Sequence, residues 1–259
     1  MTVGDFTRAA RLILSLARHE IEVQRKDSFL GLVWVVLWPA VQAGGFLLAF
    51  NLLRGGGYDP DSVLTVYIGV LIWTTAPSVL ISNLSILKRK REMIMHIVFP
   101  FSILCVVDLT VKFVMFLAQA CVAVVVWLLI SPSSHWMLVV AYLPIYLLAF
   151  YLALMAMAWV ASVFGVVLPD LSYFLPPVLM LCLALSPIFQ RDAEALPWAV
   201  RLFNEINPFS LWVTELYATI DVGKTGPSAP ILFLAVSIAA VVAARLFVHV
   251  FYRHVAKVI

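Results

Sequence analysis

The chain has little charge. Only 12% of its 259 residues are Asp, Glu, Lys or Arg, about half the roughly 25% of a typical soluble domain. Apolar residues make up 64% of it, and the mean hydropathy is +1.05. A water-soluble fold of this length cannot hide so much apolar surface, so most of it must face lipid or other buried helices. The net charge of +3 is small and dispersed, which excludes a nucleic-acid partner held by a basic face. Only three cysteines occur, Cys105, Cys121 and Cys182, all inside apolar runs. They form no disulfide framework and read as small buried side chains. The five histidines show no metal-ligand spacing, so neither a metal nor another cofactor is expected in the chain. Mid-membrane carboxylates and repeated halves are lacking too, which argues against an ion-driven carrier and for an external energy source.

What is present is a series of long apolar runs. A spanning helix needs about 20 mainly apolar residues, and six runs qualify, near 30–53, 63–87, 101–131, 137–164, 171–189 and 230–250. The expected fold is an all-α integral membrane protein with six transmembrane helices in a single domain over 1–259. Between the fifth and sixth runs lie two shorter pieces, ALPWAVRLF (195–203) and INPFSLWVTELYATI (206–220). Neither is long enough to span, and Pro197 and Pro208 punctuate them. Residues 190–222 therefore read as a re-entrant or interface-lying helical pair before the last span, on the non-cytoplasmic side.

The cations give an orientation. With six spans, one side receives Arg8, Arg11, Arg18, Arg25, Lys26, Lys88, Arg89, Lys90, Arg91, Arg245, Arg253 and Lys257, and the other only Arg54, Arg191, Arg201 and Lys224. Both termini are expected in the cytoplasm. No signal peptide is expected, because the apolar run after Arg25-Lys26 is too long and has no small-residue cleavage site. Residues 5–22 place Phe6, Ala10, Ile13, Leu14, Ala17 and Ile21 on one helical face and Arg8, Arg11, Ser15, Arg18 and Glu22 on the other. That periodicity predicts an amphipathic helix lying in the cytoplasmic interface. It can serve as a passive lipid anchor or as a docking surface for a partner. The run Lys88-Arg89-Lys90-Arg91-Glu92 sets topology and meets anionic lipid heads. With MIMHIVFP after it, 88–100 also reads as a cytoplasmic elbow.

Polar residues inside the spans mark candidate functional faces. Tyr67, Leu71, Thr74, Ser78, Ser82 and Ser85 recur at helical spacing in the second span, and Gly31, Trp34, Trp38, Gln42 and Gly45 share a face in the first. Such stripes either let helices approach closely or line a polar path. Aromatic faces beside hydroxyls suit a sugar, whose C–H faces stack on rings while its hydroxyls exchange hydrogen bonds. Asp108 and Lys112, four residues apart in the third span, form an expected intramembrane ion pair. The stretch ATIDVGKT (218–225) fits a permissive phosphate-loop pattern, but it lacks the strand-before, helix-after context that cradles phosphate. The chain is not expected to be its own ATPase.

Three ordered motifs carry a family resemblance. Arg25-Lys26 followed by Ser28-x-Leu30-Gly31-x-x-Trp34-x-x-Leu37-x-Pro39 is similar to the start of the first span in type-2 ABC export permeases for polysaccharides and polyol phosphates, the membrane subunits for O-antigen, capsule and teichoic acid. Asn83 through the basic cluster to Phe99-Pro100 resembles that family's elbow. Ser186-Pro187-Ile188, Leu196-Pro197, Asn207-Pro208 and Glu215 resemble its far-side re-entrant region. The resemblance implies a homodimer in the bacterial inner membrane with two separate ATPase subunits, which hold ATP and magnesium. The amphipathic helix and elbow, through Arg8, Arg11, Arg18, Arg25, Lys26, Lys88, Arg89, Lys90, Arg91 and Glu92, would contact those ATPases or lipid heads. Trp34, Trp38, Gln42, Tyr67, Thr74, Ser78 and Ser82 become candidate channel residues for a lipid-linked polysaccharide. One departure is Pro169-Asp170, where family members often carry Arg-Asp. The basic cluster is also denser than the family pattern leads one to expect. The alternatives are an ABC-type permease for a lipid, drug or other small amphiphile, and an intramembrane acyl- or glycosyltransferase. The latter needs an acid–base cluster near one membrane face, and the sequence has none.

Overall fold

The computed structural model describes residues 3–26, 60–90, 101–130, 136–188, 197–221 and 228–258, together with ten separate positions between 33 and 48. Its elements, among the described residues, are helices: α1 (Val3–Lys26), α2 (Pro60–Arg89), α3 (Phe101–Ile130), α4 (Trp136–Val167), α5 (Leu171–Leu185), α6 (Trp198–Ile206), α7 (Pro208–Asp221) and α8 (Ser228–Val258). Four of them, over 66–89, 102–125, 141–167 and 228–251, are long and apolar enough to cross a membrane. The first expected span lies largely outside the described residues, and its described positions are helical. The run expected near 171–189 forms a helix of 15 residues. At 1.5 Å per residue it is about 22 Å long, short of the roughly 30 Å hydrocarbon core.

Helix α2 is the hub. It packs against α3, α4, α5 and α7, while α8 lies along α4. The centre of the bundle is dry: Val70, Leu71, Val79, Leu87, Leu109, Leu154 and Val163 are fully enclosed. Lipid offers no hydrophobic drive for helix association, so close packing must hold such helices together. The α4 face toward the core supplies it with Ala158, Ala161, Ser162 and Gly165, all buried. At Gly165 the approach is closest. A Cβ added there would fall on the Leu84 carbonyl of α2, so only glycine lets the two backbones meet.

Helix α1 rests on α3 rather than standing alone. Ala17 is buried against Val107 and Val111, with Ile13, Leu16, Ile21 and Ile103 around them. Arg11, Ser15, Arg18 and Glu22 are exposed on the other face. Leu14, placed on the apolar face by its spacing, is 64% exposed. It lies at the flank of the strip that α3 covers, which leaves it free to face lipid.

At the opposite end, α6 and α7 form a short helical hairpin. Asn207 makes its corner: its side-chain oxygen accepts the Phe209 N–H at 3.1 Å, an Asx turn. Pro208 starts α7 at the position where the missing N–H costs nothing. The Ser210 hydroxyl donates to Asn204 Oδ1 at 2.9 Å and ties the two helices. Helix α7 then enters the bundle. Phe209 meets Trp73 edge-on at 5.1 Å, and Trp212 packs on Phe150 and Phe233 at 5.4 and 4.7 Å. Tyr217 donates to the Ile188 carbonyl at 3.4 Å, over Gly69.

Candidate functional site

The polar residues of the bundle converge on one seam between α2 and α3. Asp108, one turn from Lys112, accepts from the Lys112 ammonium, from the Ser82 hydroxyl at 2.6 Å and from the Asn83 amide at 3.0 Å. Lys112 also donates to Ser82 Oγ. Arg89 reaches back along the last two turns of α2, donates to the Ser82 carbonyl at 3.0 Å and lies 3.9 Å from Asp108 Oδ1. The side chains of Asp108 and Lys112 keep only 17% and 23% of their exposure. A charge so enclosed needs the partners it has here.

Two cavities open on this seam. The first, of about 250 Å³, lies toward α1 and is lined by Leu16, His19, Glu20, Arg89, Lys90 and Asp108, among others. Across it Lys90 pairs with Glu20 at 3.5 Å, tying α1 to the end of α2. The second, of about 260 Å³, is lined by Trp38, Thr74, Thr75, Ser78, Lys112 and Gln119, with apolar residues of α3. Lys112 therefore belongs to both the ion-pair cluster and this second cavity.

The candidate channel residues separate on this geometry. Trp38, Thr74 and Ser78 come together in the second cavity, and Ser82 joins the ion pair. Trp34 and Trp38 are both exposed, Trp38 to 59%. Gln42 and Tyr67 lie elsewhere, each with a buried oxygen that has no hydrogen-bond partner among the described residues. The α2 hydroxyls are turned back on their own helix. Thr74 donates to Leu71 O at 3.2 Å, Ser78 to Thr75 O at 2.8 Å and Ser85 to Ser82 O at 3.2 Å. Such back-bonding satisfies the hydroxyl proton locally and leaves its lone pairs to accept from outside.

The candidate contacts for a cytoplasmic partner also divide. Arg11 is exposed, and Arg18 pairs with Glu22 at 3.1 Å on the open face of α1. Lys88 and Arg89 are exposed, but Arg89 folds back on the Ser82 carbonyl and Lys90 pairs with Glu20 of α1. Arg8, Arg25 and Lys26 sit on α1, and nothing is described of their side chains. Arg91 and Glu92 fall outside the described residues, as does most of the elbow 88–100. At the same end Arg245 of α8 lies over the Trp159 ring at 5.7 Å, and Trp159 donates to Ser102 O at 3.2 Å.

Sequence spacing missed Glu20, Asn83, Thr75 and Gln119. Asn83 carried the only available signal. An amide in a long apolar run must find a partner, and it is fully buried in α2 with its amide on Asp108 and on the Val79 carbonyl at 2.8 Å.

The chain is 20% identical over 225 residues to the O-antigen export system permease protein RfbA of Myxococcus xanthus, spanning 86% of this chain and 85% of that one. No family model matches the chain. The likeness runs to a permease along nearly the full length of both chains. With four apolar helices of spanning length, the chain is a multi-pass membrane protein similar to a transport subunit.

Proposed function

We propose that the chain is the membrane subunit of an ABC transporter that exports a lipid-linked polysaccharide across a bacterial inner membrane. The observation that carries this reading is the end-to-end similarity to an O-antigen export permease. Its geometry supports the reading in two ways. A polar seam with an exposed tryptophan runs along α2 and α3, where a chain of sugars could pass. A charged end is tied to α1, where a motor could push.

In the assembled transporter two copies of this chain pair around a channel, and each meets one ATPase subunit, which binds ATP and magnesium. Each copy has six spans, counting the run near 30–53 and α5, whose short length a locally thinned bilayer accommodates, with α6 and α7 as the re-entrant pair on the outer side. Both termini face the cytoplasm. The force of ATP hydrolysis reaches the bundle through α1, where exposed Arg11 and Arg18, with Lys88 at the end of α2, offer cationic contacts. Lys90–Glu20 and the Ala17–Val107 packing carry it on to α2 and α3.

A deletion strain tests this directly. Without the chain, surface polysaccharide should disappear while its lipid-linked precursor builds up on the cytoplasmic side. Intact surface polysaccharide with no precursor build-up would refute the reading.

A further inference from the structure

Lys112, which holds Asp108, also lines the second cavity. Asp108 accepts from three donors, Lys112, Ser82 and Asn83, and has Arg89 at ion-pair range, 3.9 Å away. The cluster of Arg89, Lys112 and Asp108 also carries one positive charge in excess, since Lys90 and Glu20 neutralise each other. Counted from Ser102, Lys112 lies about 15 Å along the span. Lys112 itself is paired with Asp108 and the excess is shared with the half-exposed Arg89, so the cluster as a whole is net positive and attracts an anion.

The rest of the lining states what kind of anion fits. Lys112 is the only formal charge among the described lining residues. Thr74 and Ser78 have donated their protons to α2, so they present acceptors to a hydroxylated guest. Trp38, exposed at the rim, gives a flat apolar face. Acceptors for hydroxyls, a stacking ring and one cation match a sugar ring that bears a carboxylate or phosphate. The volume of about 260 Å³, below the roughly 300–1,000 Å³ of drug-sized pockets, suits a single sugar unit.

We infer that this cavity is a subsite for an acidic sugar unit, with Lys112 as the residue that selects its negative charge. The inference rests on the proposed polysaccharide export and adds to it the chemical class of the cargo.

The test uses the full chain in phosphatidylcholine nanodiscs and measures binding of fluorescently labelled trigalacturonate and of its neutral counterpart, trigalactose. Wild type should prefer the acidic trimer by about tenfold, the worth of one charge-assisted hydrogen bond. Lys112→Gln should erase the preference, while Lys112→Arg should keep it. Should Lys112→Gln fail to fold, Asp108→Asn serves instead. It removes the competing negative charge beside Lys112 and should hold or raise the affinity for the acidic trimer, and a fall to the neutral level overturns the inference. Equal binding of both trimers by wild type, or a preference that survives Lys112→Gln, also overturns it. Loss of trigalacturonate binding in phosphatidylglycerol nanodiscs assigns the cavity to lipid phosphate and overturns it as well. Any of these outcomes leaves the export reading standing if the deletion strain accumulates precursor, whereas absence of precursor sinks that reading independently of the binding data.

Discussion

Asp108 is the residue whose loss separates the structural role of the seam from any role in transport. Replaced by Ala, it leaves Lys112 and Arg89 facing each other without an anion. The cost expected is about 2–3 kcal/mol, below the roughly 3–5 kcal/mol of a wholly buried pair, because both partners retain some exposure. Asp108→Asn should cost less, since the amide oxygen still accepts. Thermal unfolding of the detergent-solubilised chain measures both. Trp38 should behave in the opposite way. It is 59% exposed, so Trp38→Ala should leave expression unchanged and lower export, as read from surface polysaccharide in the complemented deletion strain. Equal loss of both would make it a packing residue. The Asp108–Lys112 pair was legible from spacing, because i and i+4 always share a helix face. Its partners Ser82, Asn83 and Arg89 were not, since they depend on the register of α2 against α3, which no periodicity within one helix encodes.

Among the elements, α1 and the α2–α4 crossing make the sharpest claims. Glycine at 165 was invisible as a requirement in the sequence, where it sits in an ordinary apolar run. The structure gives the reason, for a Cβ there meets the Leu84 backbone rather than a flexible side-chain end. Gly165→Ala should therefore force α2 and α4 apart and cost about 1–3 kcal/mol, visible as a lower unfolding midpoint. The amphipathic character of α1 was legible, but its position was not. Apolar periodicity says that a face is covered without saying by what, and α3 covers part of it where lipid alone was an equal expectation. Glu20→Lys should loosen α1 and speed the exchange of its amides by about twofold, in keeping with the roughly 0.2–1 kcal/mol of a half-exposed pair. Adding Lys90→Glu should restore protection. No recovery in the double variant would mean that the pair at 3.5 Å does not fasten α1.

For the whole molecule, hydropathy alone was enough to read an all-helical membrane bundle, because lipid leaves the backbone few other choices. The runs near 63–87, 101–131, 137–164 and 230–250 correspond to α2, α3, α4 and α8. The weak point was the end of the fifth run, where Ser186-Pro187 stops α5 after 15 residues. The residue before a proline is pushed out of the helical region, and Ser186 is extended there, which a hydropathy window averages away. The two short pieces beyond it became α6 and α7. Their packing into the aromatic cluster around Trp73 and Trp212 could not be foreseen from length. The account as a whole stands on transport of a lipid-linked polysaccharide driven by a separate ATPase. Its most direct test is reconstitution of the chain with that ATPase in proteoliposomes carrying a lipid-linked glycan on the ATPase side. ATP should move the glycan to the protected lumen only when both proteins are present. Movement without the ATPase, or ATP hydrolysis by the complex with no glycan reaching the lumen, would contradict it.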